Sequence, residues 1–269
     1  GIKAVRLTGG EPLLRRGLPE LVHRMISLPE APEVSLTTNG IGLSRLAQSL
    51  AHAGLSRINV SLDTLRADRF IELAKRDRLT DVLEGLAAAD AAGLAPIKVN
   101  AVLMRGVNED EALDLLRFCG THGFQLRFIE QMPLAPMHGW SRDQMVTANE
   151  IQQQLERAVT LTPSETSRGS APAELFRVDE SSQLVGIIAS VSRPFCGACD
   201  RTRLTADGQL RNCLFAREES DLRSLLRGGA DDDQIADAWV RAMSTKAAGH
   251  GIDDPSFLQP DRPMSAIGG

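Results

Sequence analysis

Three of the four cysteines stand at a spacing that suits a metal centre. Cys196 and Cys199 are separated by two residues, and Cys213 follows after 13 more. Two thiolates at this spacing can turn onto one metal site, and Gly197 permits the tight backbone between them. The fourth cysteine, Cys119, lies in a helical pattern, where we expect an inert thiol in the core. The sequence therefore predicts a metal site with three cysteine donors from two loops.

Two kinds of metal site remain open on spacing alone. A structural zinc site closes with four ligands, yet the nearest downstream histidine, His250, lies 37 residues beyond Cys213. Three cysteines also fit a four-iron, four-sulfur cluster that leaves one iron open, although most clusters use four thiolates. Zinc with a distant fourth ligand and an iron–sulfur cluster are therefore equal alternatives at this point.

Four basic side chains have positions that favour phosphate binding. Arg201 and Arg203 follow the cysteine pair, and in an extended segment both point to one side. Planar guanidinium groups suit phosphate oxygens. Arg6 and Lys98 fall on predicted strands, where a charge is costly unless it is paired or faces a ligand. The alternatives are a solvated arginine pair and buried ion pairs.

The elements that must position these residues alternate between strands and helices. Strands are predicted for residues 2–8, 34–38, 57–61, 97–103 and 125–130. Helices are predicted for residues 18–27, 44–53, 80–92, 110–121 and 232–248, with N-caps at Ser44 and Thr80 and stops at Gly54, Gly93 and Gly123. Such alternation predicts a parallel sheet joined by right-handed crossovers.

The predicted strand ends favour a (β/α) barrel over an open doubly wound sheet. Glycine, acidic and amide residues cluster just past them, in segments 8–12, 37–40, 61–63 and 130–132. In barrels this rim binds ligands, although open α/β sheets also bind at strand ends. Beyond Pro133 the pattern changes to loops and a predicted hairpin of residues 176–178 with 184–188. We therefore predict one domain over residues 1–133 and a second over residues 134–269.

Composition limits the partners that the chain is expected to have. The net charge of −5 argues against a nucleic-acid surface, and 4% aromatic residues without any tyrosine argue against base stacking. No apolar run reaches the roughly 18 residues of a membrane span. Few cysteines and a Cys-x-x-Cys pair predict a cytoplasmic protein. The chain starts with Gly1 inside a strand pattern, so we expect a fragment of a longer protein.

Several segments together resemble the GTP 3′,8-cyclase family of the radical S-adenosylmethionine superfamily. They are residues 6–12 (RLTGGEP), 37–40 (TTNG), 58–63 (INVSLD), 99–104 (VNAVLM), 126–130 (LRFIE), 195–203 (FCGACDRTR) and the final Gly-Gly. The resemblance implies an incomplete (β/α)6 TIM-like barrel that lacks its first βα unit. A smaller C-terminal iron–sulfur domain follows it.

The resemblance also implies which residues bind the reactants. S-adenosylmethionine would be held by Gly10, Glu11, Ser61 and Met132. GTP would be held by Arg6, Thr37, Lys98, Arg201, Thr202 and Arg203. A second 4Fe-4S cluster would be ligated by Cys196, Cys199 and Cys213, with its open iron on the guanine, and the Gly268-Gly269 tail would reach the active site.

The implied activity is that of a lyase in molybdenum-cofactor (molybdopterin) biosynthesis. A first 4Fe-4S cluster reduces S-adenosylmethionine to a 5′-deoxyadenosyl radical, which takes the ribose 3′ hydrogen of GTP. Attack on C8 then gives (8S)-3′,8-cyclo-7,8-dihydroguanosine 5′-triphosphate. The implied partners are GTP, a reductant and the next molybdenum-cofactor enzyme, with no nucleic acid and no membrane; monomer and homodimer are both left open.

Two departures from the family pattern bear on activity. The Cys-x-x-x-Cys-x-x-Cys motif of the first cluster is absent, and we expect it upstream of Gly1. The chain as given is therefore predicted to be inactive by itself. Ala4 stands where the family often has a basic residue. The alternatives are another radical S-adenosylmethionine enzyme with an auxiliary cluster and a zinc-stapled, non-catalytic binding module.

Overall fold

A parallel sheet of α/β type organises the chain. The computed structural model describes residues 1–134, 140–255 and 257–268. Its strands are β1 (Ala4–Leu7), β2 (Glu33–Thr38), β3 (Arg57–Ser61), β4 (Ile97–Ala101), β5 (Gln125–Ile129), β6 (Leu161–Pro163), β7 (Glu174–Val178), β8 (Leu184–Ile188), β9 (Arg203–Leu204), β10 (Gln209–Arg211) and β11 (Ser220–Asp221). The first eight form one sheet in the order β1-β2-β3-β4-β5-β8-β7-β6, and the last three form a small antiparallel sheet.

The helices up to residue 156 connect the strands of the large sheet and cover one of its faces, whereas the later helices follow the small antiparallel sheet. The helices are α1 (Leu18–Ile26), α2 (Leu43–His52), α3 (Ala67–Ala74), α4 (Leu79–Ala91), α5 (Ala112–Thr121), α6 (Ala148–Glu156), α7 (Leu222–Arg227), α8 (Asp232–Ser244) and α9 (Met264–Ile267). Short 3₁₀ turns lie at Pro12–Leu14, Glu109–Glu111, Arg142–Gln144 and Cys196–Ala198. No helix in the described part of the chain has both the length and the apolar composition to cross a membrane.

The predicted parallel pairing is confirmed. Strands β1 to β5 lie side by side in chain order and all pair in parallel, and β8 continues the parallel sheet beside β5. The predicted hairpin is also confirmed, because β7 and β8 pair antiparallel. The sheet therefore runs across residue 134, while the incomplete barrel and the boundary at 133/134 remain predictions.

Alternation along the strands gives the sheet one apolar and one polar face. The residues that point to the apolar face are fully buried; they include Val34, Leu36, Ile58, Val60, Val99, Leu126, Phe128, Val185 and Ile187. Their neighbours in the chain point the opposite way, because successive side chains of a strand alternate. The helices pack on the apolar side and form the main core with it. The opposite face is left for polar side chains.

The starts of α2 and α4 are determined by buried leucines rather than by polar N-cap residues. The N-caps predicted at Ser44 and Thr80 are wrong, since α2 and α4 begin one residue earlier and have Gly42 and Arg78 as N-caps without a side-chain hydrogen bond. The first helical residue is a buried leucine in both helices, so burial of apolar area fixes the start. The predicted stops are confirmed, because the glycines at positions 54, 93 and 123 have φ of 91°, 75° and 71°.

The small antiparallel sheet carries the cysteine loops and has a core of its own. Leu210 and Leu222 pack there with Ala238 and Ala242 of α8. The predicted helix over 232–248 ends earlier than expected, at Ser244. Helix α6 was not predicted, although Thr147 and Glu150 form a capping box at its start.

Candidate functional site

The polar face of the sheet carries a row of basic side chains. Arg6 on β1 pairs in register with Ser35, which pairs with Arg57 on β3. Lys98 on β4 and Arg127 on β5 continue the row through their register partners Asn59 and Asn100. In-register positions of parallel strands face the same way, so four cations share one surface. We call Arg6, Arg57, Lys98 and Arg127 the basic row.

Burial and mutual repulsion lower the pKa values of side chains in the basic row. Burial, followed by the charges of Arg127, Arg57 and Arg6, lowers the pKa of Lys98 to about 8. Burial also lowers the pKa of Arg127 to about 10. One carboxylate, that of Glu33, contacts the row through Arg57. A surface with this excess of positive charge attracts a polyanion.

Arg127 was not predicted as a site residue, but the structure places its buried side chain in the basic row. The residue is buried, with one hydrogen bond from Nη2 to Oε1 of Gln125 at 3.1 Å. Its Nη1 has no hydrogen-bond partner among the described residues, and neither has Nε of Arg57. A buried guanidinium with an unsatisfied donor is costly unless a ligand completes it. The sequence signal was a charge between the apolar residues of a strand.

Glu11 joins the first two loops at the carboxyl ends of the strands. Its carboxylate accepts hydrogen bonds from Leu13 N at 3.0 Å, Thr38 Oγ1 at 2.6 Å and Asn39 N at 2.8 Å. A carboxylate offers about four acceptor positions, so one remains for a ligand. Gly10 lies beside it and is exposed, and a Cβ at this position would have only Ser265 O nearby, at 4.0 Å.

The loop after β3 is held by two acids, of which Asp63 is partly buried and Glu111 is buried. The Asp63 carboxylate accepts a hydrogen bond from Val102 N at 2.8 Å, and burial raises the pKa of Asp63 to about 6. Glu111 is buried and accepts hydrogen bonds from Thr64 Oγ1 at 2.7 Å and Leu65 N at 2.9 Å. Ser61, which precedes this loop, is exposed at the end of β3.

A buried carboxylate also organises the segment around Met132. Glu130 accepts hydrogen bonds from Ala148 N at 2.7 Å and from Val191 N and Ser192 N at 2.8 Å each. It thereby joins the end of β5 to the start of α6 and to the chain that leaves β8. Met132 follows two residues later and is partly buried.

Two of the three thiols predicted as metal ligands accept hydrogen bonds from N–H donors. The guanidinium of Arg201 donates to Cys199 Sγ at 3.2 and 3.4 Å, and Phe215 N donates to Cys213 Sγ at 3.4 Å. The backbone N–H of His250 acts to lower the pKa of Cys196, although burial outweighs this effect. All three residues are partly buried and none forms a disulfide. Such donors stabilise thiolate, which is the form that binds metals.

The surroundings shift the thiol pKa values in opposite directions. Burial, with the charge of Cys213 next, raises the pKa of Cys196. Burial also pushes up the pKa of Cys199, but the hydrogen bonds and charge of Arg201 outweigh it and leave that pKa lowered. Cys119 is the predicted inert thiol, and this is confirmed by its full burial, which raises its pKa to about 12.

The three thiols do not converge on a single ion. Within residues 1–134, 140–255 and 257–268, no group of three or more His, Cys, Asp or Glu side chains is arranged to hold a metal ion. Two sulfurs on one zinc stand within about 4.6 Å of each other, since each Zn–S bond is about 2.3 Å. The metal ligation predicted for Cys196, Cys199 and Cys213 stays a prediction, and the mononuclear alternative has no converged donor set.

Arg203 connects the basic row with the thiols. Burial lowers its pKa to about 10, with further effects from the charges of Arg201, Cys213, Arg6 and Cys199. Its guanidinium donates to the carbonyl of Gly268 in the C-terminal tail. Arg201 also stacks on the ring of Phe195, with 4.8 Å from Cζ to the centroid. The two arginines thus have different partners, although they share one neighbourhood.

The remaining predicted residues lie around this neighbourhood. Thr37 is partly buried, and its hydroxyl accepts a hydrogen bond from Asn59 Nδ2 at 3.0 Å. Thr202 is partly buried between the two arginines. Gly268 has a φ of 78° and approaches Thr8, whereas Gly269 lies outside the described residues.

Comparisons with known proteins show the family to which the chain belongs. Residues 1–119 match the family model described as "Radical SAM superfamily", and residues 124–252 match "Molybdenum Cofactor Synthesis C". The chain is 62% identical over 270 residues to the GTP 3′,8-cyclase of Streptomyces coelicolor, covering 100% of this chain and 79% of that protein. It is 60% identical over 273 residues to the GTP 3′,8-cyclase of Mycolicibacterium smegmatis, covering 100% of this chain and 76% of that protein. This chain belongs to the GTP 3′,8-cyclase family.

Membership of the GTP 3′,8-cyclase family confirms the predicted resemblance. The radical S-adenosylmethionine family also implies a 4Fe-4S cluster and S-adenosylmethionine. Among solved structures, a TYW1 with a bound lysine–pyruvate adduct matches 62% of this chain and 55% of that chain. Its TM-score is 0.46 with 20% identity, which is too distant a likeness for any argument about function.

Proposed function

We propose that the chain is a radical S-adenosylmethionine lyase. It acts in molybdenum-cofactor biosynthesis and cyclises GTP to (8S)-3′,8-cyclo-7,8-dihydroguanosine 5′-triphosphate. One observation supports the proposal: in a chain 62% identical to a GTP 3′,8-cyclase, Arg203 lies near enough to Arg6 of the basic row and to Cys199 and Cys213 for their charges to act on it. A nucleoside triphosphate is the reactant whose charge matches that neighbourhood.

The basic row and Arg203 bind the triphosphate of GTP. Arg6, Lys98 and Arg127 supply cations, and none of the three forms an ion pair in the described part of the chain, although the charge of Glu33, which pairs with Arg57, also acts on Arg6 and Lys98. Phosphate oxygens would satisfy the buried Nη1 of Arg127 and raise the depressed pKa of Lys98. Thr37 and Thr202 add hydroxyl groups at the edges of this surface.

S-adenosylmethionine binds at the carboxyl ends of β1, β3 and β5. Gly10 exposes its main chain, Glu11 keeps one acceptor position for an ammonium group, and Ser61 and Met132 lie at the neighbouring strand ends. When bound with the cluster that its family implies, S-adenosylmethionine supplies the 5′-deoxyadenosyl radical that removes the ribose 3′ hydrogen. The contribution of this chain is to orient the two reactants and exclude water.

Cys196, Cys199 and Cys213 are proposed to hold a second 4Fe-4S cluster. The donor set fits this group, because it consists of three thiols from two loops, and N–H groups donate to the sulfurs of Cys199 and Cys213. Bound there, the cluster supplies an open iron for the guanine. Arg201 and the loop backbone hold the thiolates in place.

The C-terminal tail is proposed to line the same site. Ile267 is fully buried, and Gly268 accepts a hydrogen bond from Arg203. The polar face of β1 to β5 is the inside of an incomplete barrel in this proposal, with the second domain from residue 134. A reductant and the next molybdenum-cofactor enzyme are the expected partners.

Binding of GTP tests the proposal without turnover. Isothermal titration of the full chain with GTP should show binding that weakens about 10-fold or more in Arg203→Ala, the effect of losing hydrogen bonds to a charged group. Arg24→Ala removes an exposed arginine on α1, on the side of the sheet opposite to the basic row, and should bind GTP as the unaltered chain does. Equal affinity of both variants would contradict the phosphate assignment.

Metal analysis tests the second cluster. After anaerobic reconstitution, iron and acid-labile sulfide should be found in about equal amounts, and Cys213→Ala should lose them. One tightly held zinc without sulfide would favour the zinc-stapled binding module. Cys119→Ala serves as the matched control, because its thiol lies in the core.

A further inference from the structure

Lys246 joins the two loops that carry the cysteines. Its Nζ donates to the backbone carbonyl of Arg201 at 2.6 Å and to the backbone carbonyl of Asn212. Arg201 lies two residues after Cys199, and Asn212 immediately precedes Cys213. One ammonium group therefore bridges the backbones of both loops beside their thiols.

The end of α8 fixes the position of this lysine. The backbone N of Lys246 donates to Met243 O at 3.0 Å, just past the last helical turn. Asn212 in turn binds the end of α8, since its Nδ2 donates to Ala242 O at 3.1 Å and to Thr245 Oγ1 at 3.0 Å. The helix end and the Cys213 loop are thus joined in both directions. A cation is also favourable at a helix C-terminus.

Lys246 has no acidic partner in the described part of the chain, so its charge acts on the neighbouring cysteine loops. Within the described ranges, no carboxylate forms an ion pair with Lys246. Two of its three N–H donors go to the two carbonyls, which carry no net charge. Its positive charge acts on Cys199 together with that of Arg201. The ammonium group therefore places a positive charge beside both cysteine loops.

We infer that Lys246 is a positioning residue of the second metal centre, where it fixes the separation of the two cysteine loops and stabilises the charge of the thiolate-ligated cluster. The inference rests on the proposed second cluster and assigns a role to a residue outside the cysteine motif. The potential of an iron–sulfur cluster depends on net charge and on hydrogen bonds around the sulfurs. Loss of an outer partner of a metal ligand costs about 10–100-fold in metal affinity.

Three substitutions separate the roles of charge and hydrogen bonding. Lys246→Met removes both, Lys246→Gln keeps a donor without charge, and Lys246→Arg keeps both. Lys75→Met is the matched control, because Lys75 is exposed at the end of α3, outside the segments that carry the cysteines. Each full chain is reconstituted anaerobically with iron and sulfide, and iron release to a chelator is followed. The reduction potential is obtained by dithionite titration monitored by electron paramagnetic resonance, and thermal unfolding is recorded without metal.

The expected result is specific to the lysine. Lys246→Met should release iron about 10-fold faster or more and show a lower reduction potential, because removing a nearby cation disfavours the more negative reduced state. Lys246→Arg should keep the potential, Lys246→Gln should lower it, and Lys75→Met should match the unaltered chain. If Lys246→Met does not fold, the comparison of Lys246→Gln with Lys246→Arg decides the role of charge.

Two outcomes would overturn the inference, and they are distinguishable. If the unaltered chain holds iron and sulfide but the Lys246 variants release iron at its rate and share its potential, the role of Lys246 is refuted alone. If the unaltered chain takes up zinc and no sulfide, the proposed cluster and the inference fail together.

Discussion

Gly186 lies directly opposite Arg127 in the parallel register of β5 and β8, and the Arg127 side chain fills the space that a Cβ at residue 186 would take. An added Cβ would stand 2.6 Å from Arg127 Cδ, well inside van der Waals contact. The absence of a side chain on one strand therefore makes room for a buried guanidinium on the next. This pair links the sheet register to the basic row.

Gly186→Ala should destabilise the fold and disturb the phosphate site together. Overpacking a buried position costs about 1–3 kcal/mol in the free energy of unfolding, measurable by urea titration. GTP affinity should fall as well, because Arg127 must move. Gly249→Ala is the control, since a Cβ there meets nothing within 4 Å. Equal stability of the two variants would show that Arg127 relocates without cost.

Glu130→Gln should weaken the junction between β5, α6 and the segment after β8. The carboxylate accepts from three buried or partly buried backbone amides, and an amide group presents only one acceptor oxygen to them. We expect a loss of about 1–3 kcal/mol in the free energy of unfolding, from the donors left unsatisfied. The exposed Glu180→Gln should unfold as the unaltered chain does. Matching denaturation curves for both would refute this role.

GTP binding should weaken as pH rises above about 8. Burial lowers the pKa of Lys98 from 10.5 to about 8 in the folded chain, so the free protein loses this charge in that range. Phosphate favours the protonated lysine, and binding should therefore take up a proton. Titration calorimetry at pH 7 and pH 9 should show this dependence, and Lys98→Met should remove it. A pH-independent affinity would place the phosphates away from Lys98.

The same lowered pKa has a consequence for stability with a defined sign. Between pH 8 and 10.5 the unfolded chain holds a proton on Lys98 that the folded chain has lost. The contribution of Lys98 to the free energy of unfolding therefore rises with pH across that window. Below pH 8 the folded state carries the full penalty of the buried charge.

Only three of the four thiols should react quickly in the folded, metal-free chain. The thiolate is the nucleophile, and burial holds the pKa of Cys119 at about 12. A chromogenic disulfide reagent should count three fast thiols in the native chain and four after denaturation. Cys119→Ala should give three under both conditions. Four fast thiols in the native chain would mean that the helix carrying Cys119 opens readily.

The protection of the C-terminal tail from amide exchange should depend on Arg262. This residue forms hydrogen bonds to Asp207 at 2.7 and 3.0 Å and an ion pair with Glu219 at 3.2 Å. Partly exposed pairs contribute up to about 1 kcal/mol, so Arg262→Ala should raise amide exchange at Ile267 up to roughly fivefold. Arg142→Ala, which breaks an exposed pair elsewhere, should leave that exchange unchanged. No difference between them would show that burial of Ile267 alone holds the tail.

The sequence predicted those parts of the fold that depend on local pattern. The five parallel strands were found because their β-branched residues alternate with polar ones, and β3 was predicted with its observed ends. The N-caps at Ser44 and Thr80 were wrong because a buried leucine before each begins the helix. Burial in the tertiary structure outweighed the local preference for a hydroxyl cap.

The candidate site was predictable only where a motif marks it. The cysteine spacing and the arginines beside it stand out in the sequence, whereas Arg57 and Arg127 are single charges within strands. Their role depends on which positions the sheet register brings together. Lys246 lies 33 residues beyond Cys213 and carries no local signal. Its contacts exist only once α8 has packed on the cysteine loops.

The pairing of β8 with β5 determines where the basic row lies relative to the cysteine loop that follows β8. Arg127 lies on β5, and only seven residues separate the end of β8 from Cys196. Glu130 fastens the start of that short connection to the end of β5. The loop proposed to bind the cluster thus follows within seven residues from the same hydrogen-bonded ladder that carries the guanidinium proposed to bind phosphate. Insertions in the outer loops would leave this short connection unchanged, whereas a shift in the register of β5 and β8 would move the proposed nucleotide and cluster sites relative to each other.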